Sequence, residues 1–173
     1  MIEVQITNSM RETAHDMSSE MGILSRSITR GQGNVYGFLG ELVALDVLDG
    51  VHQNTMDYDI LVDGSKIDVK TKKTTVKPKP DYDCSVADLT RKQNCDYYAF
   101  VRVLSDQSVG WFLGVKKAEQ YFTDARYIKK GDYDNSNGFT ARANCYNMPI
   151  SALDVDLPTS FRHKTVKSAL SAG

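Results

Sequence analysis

The feature that most constrains this chain is a change of apolar period between residues 34 and 72. Val35, Phe38, Leu39, Leu42, Leu45 and Val47 form the broad apolar face of a helix, predicted from about Asn34 to Leu48 and ended by Asp49-Gly50. From Tyr58 the period is two. Tyr58, Ile60 and Val62 alternate with Asp59 and Leu61, and Asp63-Gly64 supplies the residues of a tight hairpin turn. On the return, Lys66, Asp68, Lys70 and Lys72 alternate with Ile67 and Val69. The two strands are expected to pair antiparallel.

The flanking sequence yields further elements. Ile2, Val4 and Ile6 predict a short opening strand. Met10, Ala14, Met17, Met21 and Leu24 make a helical stripe over about residues 8–24, capped by Thr7 or Asn8, with the methionines as packing. Ser25–Asn34 is a polar connection. Pro78 and Pro80 keep residues 73–81 from being an interior strand, so an exposed, semi-extended loop is expected. Tyr82–Val86 reads as a short strand, Ala87–Asn94 as a short helix, Tyr97–Leu104 and Val109–Val115 as strands, and Lys116–Phe122 as a helical turn or two. Lys129–Asn144 is polar and loop-like, Ile150–Leu157 closes the fold, and the last dozen residues are basic. Neither repeat nor linker divides the chain. A single domain over 1–173 is expected, with a core at about 34–115 and a polar carboxyl-terminal extension at about 124–173.

Composition excludes several classes. Apolar residues make up 41 % and charged residues 25 % of the 173, as in an ordinary globular domain. Nowhere does an apolar run reach the roughly 18–20 residues of a membrane helix. Glu3 stands where a signal peptide would carry positive charge, so a cytoplasmic protein without a membrane partner is expected. Cys84, Cys95 and Cys145 show no metal-ligand spacing and are read as free thiols. The net charge of −1 is unevenly spread: −7 over residues 1–63, +4 over 64–92 and +2 over 93–173. Lys66, Lys70, Lys72, Lys73, Lys77 and Lys79 therefore form a positive stretch able to attract a polyphosphate, or equally a lysine-edged strand that resists aggregation.

Phosphodiester cleavage calls for carboxylates converging on a divalent cation, with a further cation to position water or stabilise the transition state. Strand alternation puts Asp68 and Lys70 on one face, about 7 Å apart, with the Val69 carbonyl free to ligate metal. Asp59 lies across the turn at the same end of the sheet. Glu41 shares a helix flank with Gly37, Ala44 and Leu48, at the edge of the apolar face. The competing reading is a surface hairpin in which Asp68 and Lys70 form a salt bridge.

Gly40-Glu41 on a helix, followed by Asp59 and, nine residues on, Asp68-Val69-Lys70, resembles the PD-(D/E)XK nuclease superfamily over roughly residues 34–104. Two positions depart from its pattern: Tyr58 replaces the proline before the first aspartate, and the second acid is Asp rather than Glu. The resemblance implies an α/β, restriction-endonuclease-like αβββαβ core with a mixed central sheet and flanking helices. It implies a nuclease dependent on Mg²⁺ or Mn²⁺, with Glu41, Asp59 and Asp68 as metal ligands and Lys70 as the catalytic lysine. The small build is similar to phage members of that group, whose site of action is the host cytoplasm.

Nucleic acid, DNA first, is the expected partner, contacted by Lys72, Lys73, Lys77 and Lys79; a homodimer is left open. Gln93 and Tyr97 are secondary candidates. His15, His52 and His163 share no motif and are read as incidental, and Trp111 as core. Gly31-Gln32-Gly33 lacks the strand and the Lys-Ser/Thr of a phosphate loop. Two other readings stay open: a non-catalytic nucleic-acid-binding module on the same fold, and a protein-interaction module using the 73–81 loop.

Overall fold

The computed structural model describes residues 1–21, 34–53 and 55–155. Its elements run β1 (Ile2–Gln5), α1 (Asn8–Met21), α2 (Asn34–Val47), β2 (Val51–His52), β3 (Ile60–Val62), β4 (Ser65–Thr74), β5 (Asp83–Ala87), β6 (Tyr97–Leu104) and β7 (Val109–Lys117). They continue with α3 (Ala118–Asp124), β8 (Arg126–Ile128), β9 (Tyr133–Asp134), β10 (Phe139–Thr140) and β11 (Cys145–Pro149). Leu24, the connection before Asn34 with Gly31-Gln32-Gly33, His163 and the basic final dozen residues lie outside the described residues.

The main sheet is mixed, with six strands in the order β1-β7-β6-β4-β3-β2. Asp63 and Gly64 both take left-handed φ values, 45° and 82°, as a two-residue hairpin turn demands, and β3 and β4 pair antiparallel as expected. On its other edge β4 runs parallel to β6, from Ile67 opposite Tyr97 to Thr74 opposite Leu104. β6 and β7 are antiparallel, and β1 closes the far edge.

Alternation along the strands feeds two cores. Ile67, Ala99, Val101, Val103 and Phe112 face Leu39, Val43, Ala44 and Val47 of α2, with α1 packed outside and Ala14 buried. Thr7 caps α1, its Oγ1 accepting from the Met10 N–H at 3.2 Å. On the opposite face, Tyr98, Phe100, Trp111 and Leu113 lie under Cys84, Val86, Tyr121, Met148, Ile150 and Leu153.

The buried stripe of α2 differs from expectation: Val43, Ala44 and Leu48 are wholly buried, whereas Leu42 and Leu45 are only partly so. Gly40 is the reason. A Cβ built there would fall 1.8 Å from Thr71 Oγ1 on β4, so the bare backbone lets the helix lie close on that strand and rolls a different stripe inward. Gly37, on the same flank as Glu41, has nothing within 4 Å of a Cβ position.

Two further expectations change. The short helix before β6 is a five-residue 3-10 segment, Asp88–Lys92, so the parallel crossover from β4 to β6 passes through β5 and this turn rather than an α-helix. Residues 126–149 are more than a polar extension. β8 and β11 join β5 in a three-stranded sheet whose apolar side chains build the second core. At three and five residues, Arg-Tyr-Ile and Cys-Tyr-Asn-Met-Pro are too short to display a strand period.

Among the described residues no helix is long and apolar enough to cross a membrane. The close approach yields a test. Gly40→Ala should destabilise the protein by about 1–3 kcal/mol in chemical denaturation, through overpacking, and Thr71→Ala in the same chain should recover part of the loss.

Candidate active site

Glu41 rides on α2 one residue past the point where Gly40 meets β4. Asp68 and Lys70 lie on β4, on the face turned away from α2, where Asp68 is opposite Tyr98 and Lys70 Nζ sits 5.6 Å from the centroid of the Tyr98 ring. Asp59 falls one residue before β3 rather than within it. Its N–H donates to the Ile67 carbonyl at 2.9 Å, and its Oδ2 accepts from the Val69 N–H at 2.7 Å. Val69 thus sits between the two aspartates and fixes one of them through its amide.

These groups share one electrostatic environment. Asp68 is only 4 % exposed, and the Glu41 side chain 13 %. Burial, and then the Asp68 charge, push the Glu41 carboxyl up to about 7. Asp59 goes up to about 8, chiefly through burial and then through Glu41 and Asp68, against the lowering effects of the Val69 N–H and Lys70. Three acids from three separate elements are therefore within mutual electrostatic range. Lys70 Nζ stands 2.5 Å from Asp68 Oδ2, yet not in hydrogen-bonding alignment, which leaves that buried oxygen without a hydrogen-bond partner.

Hard carboxylate oxygens that are buried close together and repel one another suit a divalent cation in their chemistry. Their present orientations do not form a finished ligand set: among the described residues no group of three or more His, Cys, Asp or Glu is spaced to hold a metal ion. Each acid is turned to another partner. Glu41 Oε2 meets His52 Nε2 at 2.7 Å, Asp59 holds the Val69 amide, and Asp68 faces Lys70.

His52 is the residue that sequence reasoning passed over. It lies on β2, opposite Ile60, and touches the helix acid directly. No motif links it to Glu41; only the pairing of β2 with β3 brings the two together. Gln93, a secondary candidate, accepts from Lys70 Nζ through Oε1 at 3.2 Å and donates from Nε2 to the Met56 carbonyl at 3.0 Å. It thereby ties Lys70 to the loop before Asp59. Cys95 is pushed up to about 11, by burial and then by Asp68, and stays a neutral thiol.

The four lysines expected to contact nucleic acid are not one surface. Lys72 keeps the face of Asp68 and Lys70. Lys73 projects from the other face, over the Tyr36 ring at 4.8 Å, because it falls within β4 and alternation reverses it. Lys77 is 3.6 Å from Glu3 Oε2, and Lys79 is exposed in the same loop beyond Thr74. That loop lies roughly 20 Å from Asp68 along the strand, at about 3.3 Å per residue.

No protein-family profile matches the chain, and no curated protein matches it.

The raised carboxyls fix a sign. Between the ordinary carboxyl range and about pH 8 the native state holds protons that the unfolded chain has released. The stability that Glu41 and Asp59 contribute is fully present at low pH and is lost as pH rises through their folded values. In metal-free buffer the thermal midpoint should fall from about pH 5 to about pH 8, and Asp59→Asn should flatten that decline; an unchanged slope in the variant contradicts this account.

Proposed function

We propose that this protein is a divalent-metal-dependent nuclease that hydrolyses phosphodiester bonds, with DNA as its substrate, on a fold of the restriction-endonuclease-like kind. The observation that carries the reading is the convergence of Glu41, Asp59 and Asp68, from α2, the approach to β3 and β4, beside the ammonium of Lys70. The order of α2, β2, β3 and β4, followed by a crossover to a parallel β6, supports the resemblance in architecture.

In this reading Glu41, Asp59 and Asp68, with the Val69 carbonyl, would hold Mg²⁺ or Mn²⁺. The cation supplies charge against the developing phosphorane and acidifies a water. The chain's own contribution is placement. The Val69 amide fixes Asp59, His52 restrains Glu41, and Gln93 directs Lys70 toward the space above Asp68. Lys70 then orients the attacking water or stabilises charge on the phosphoryl oxygens. Burial keeps the dielectric low and strengthens each of these interactions.

Purified protein with Mn²⁺ or Mg²⁺ should cut at least one of single-stranded, duplex or branched DNA. Asp68→Ala and Lys70→Ala should each lower the rate by about 10²-fold or more. Full activity in either variant, or inertness toward all three substrates with both metals, refutes the reading.

A second reading, a non-catalytic nucleic-acid-binding module, is favoured by one observation: each of the three acids already has a protein partner. It predicts salt-dependent DNA binding that is indifferent to Mn²⁺ and to Asp68→Ala, whereas the nuclease reading predicts a Mn²⁺-induced rise in thermal midpoint that Asp68→Ala abolishes.

A further inference from the structure

A recess of about 170 Å³ opens beside Lys70, on the face of the main sheet that carries Asp68. Lys70 and Lys72 of β4, Arg102 of β6, and Asp83, Cys84 and Ser85 of β5 are among the residues that line it. The parallel register sets Lys72 directly beside Arg102, so two cations share one wall.

Arg102 is 6 % exposed, an unusual position for a guanidinium. Its Nη2 donates to the Asp83 carbonyl at 2.8 Å, and its plane lies over the Tyr82 ring at 5.5 Å. Among the described residues neither Arg102 nor Lys72 forms an ion pair: the nearby Asp83 carboxylate is engaged by Arg126 at 3.0 Å and by Asn137 at 2.5 Å. Both cations are pulled below their ordinary pKa, by burial first and, for Lys72, by the Arg102 charge next, although Lys72 keeps an exposed edge. The Asp83 carboxylate also lines the recess, but it is turned to Arg126 and Asn137, so the Arg102 guanidinium is buried without an ion pair of its own and exposed Lys72 stands beside it. A planar fork, an ammonium and the Ser85 hydroxyl are donors that suit a phosphate.

We infer that this recess seats a terminal phosphate of the strand being cut, so that the protein works from phosphorylated ends. Lys72 stands two residues beyond Lys70 on the same face, about 7 Å away, comparable with one nucleotide step from the phosphate above Asp68. β5 lies across the recess, with its Asp83 carbonyl bound to Arg102 and Cys84 packed in the core beneath. On this inference, a strand entering past Lys70 ends against β5, with its terminal phosphate beside Lys72 and Arg102. The role assigned to the recess rests on the nuclease reading; the binding of phosphate does not.

The test uses the full chain and oligonucleotides of one sequence bearing a 5′-phosphate, a 3′-phosphate or hydroxyl ends, together with a closed circle. Binding is measured by fluorescence anisotropy in Asp68→Ala, and cleavage in the unmodified protein with Mn²⁺. One phosphorylated end should bind about tenfold more tightly than the hydroxyl end, and inorganic phosphate should compete. Lys72→Ala, at an exposed position, should remove the preference; Arg102→Lys should weaken it while keeping the charge. The preferred end identifies the source of the phosphate. Equal affinity for phosphorylated and hydroxyl ends, or cutting of the circle as fast as the linear strand, overturns the inference and leaves the nuclease reading intact. End preference without metal-dependent cutting of any substrate upholds the recess as a phosphate seat and sinks the nuclease reading.

Discussion

β4 is hydrogen-bonded along both edges, antiparallel to β3 and parallel to β6, and α2 lies close on one of its faces. Strands in such positions are usually near-continuous apolar runs. This one reads Ser-Lys-Ile-Asp-Val-Lys-Thr-Lys-Lys-Thr, and much of the surrounding structure answers the charge it brings inside. Lys66 lies over the Tyr58 ring, Lys70 over Tyr98 and Lys73 over Tyr36, at 5.7, 5.6 and 4.8 Å from the ring centroids. Each such contact contributes about 0.5–1 kcal/mol at a partly exposed site. These ring contacts hold the lysines without neutralising them; of the three, Lys70 also faces a carboxylate, Asp68, at 2.5 Å.

The carboxylates are handled less completely. The Asp68–Lys70 pair has the partners of a surface salt bridge but not its setting, since Asp68 is buried and its near oxygen lacks an aligned donor. A buried pair of this kind is weak evidence for stability, because desolvation opposes the Coulomb gain. Nor does the pair explain why Asp59 and Glu41 come into range of the same charge. Raised carboxyls clustered with a lysine are the pattern that functional sites leave in electrostatics. Under the nuclease reading, the strain that these acids place on the metal-free fold is relieved when a cation binds.

Much of the fold was legible in the chain. The hairpin around Asp63-Gly64, α2, β6 and β7 all follow from period and turn chemistry, because in each case local preference and burial agree. The second sheet was not legible. β8 and β11 are short, and their pairing with β5 is a long-range matter on which local propensity is silent. A cue to Arg102 does stand in the sequence: it is the one charge in Tyr-Tyr-Ala-Phe-Val-Arg-Val-Leu, and a cation in an apolar strand asks for a reason. His52 carries no such cue.

By itself the sequence determined which residues could share a face: Asp68 with Lys70 and Lys72 by alternation, and Glu41 at the rim of an apolar helix. Those relations are local, set by the backbone's two periods. Only the tertiary structure decided that Glu41 meets His52, that Lys77 lies beside Glu3, and that Lys72 gains Arg102 as a neighbour. Such meetings depend on how closely α2 settles at Gly40 and on the register of β4 against β6. Both are fixed by packing between segments distant in the chain, which no local period encodes.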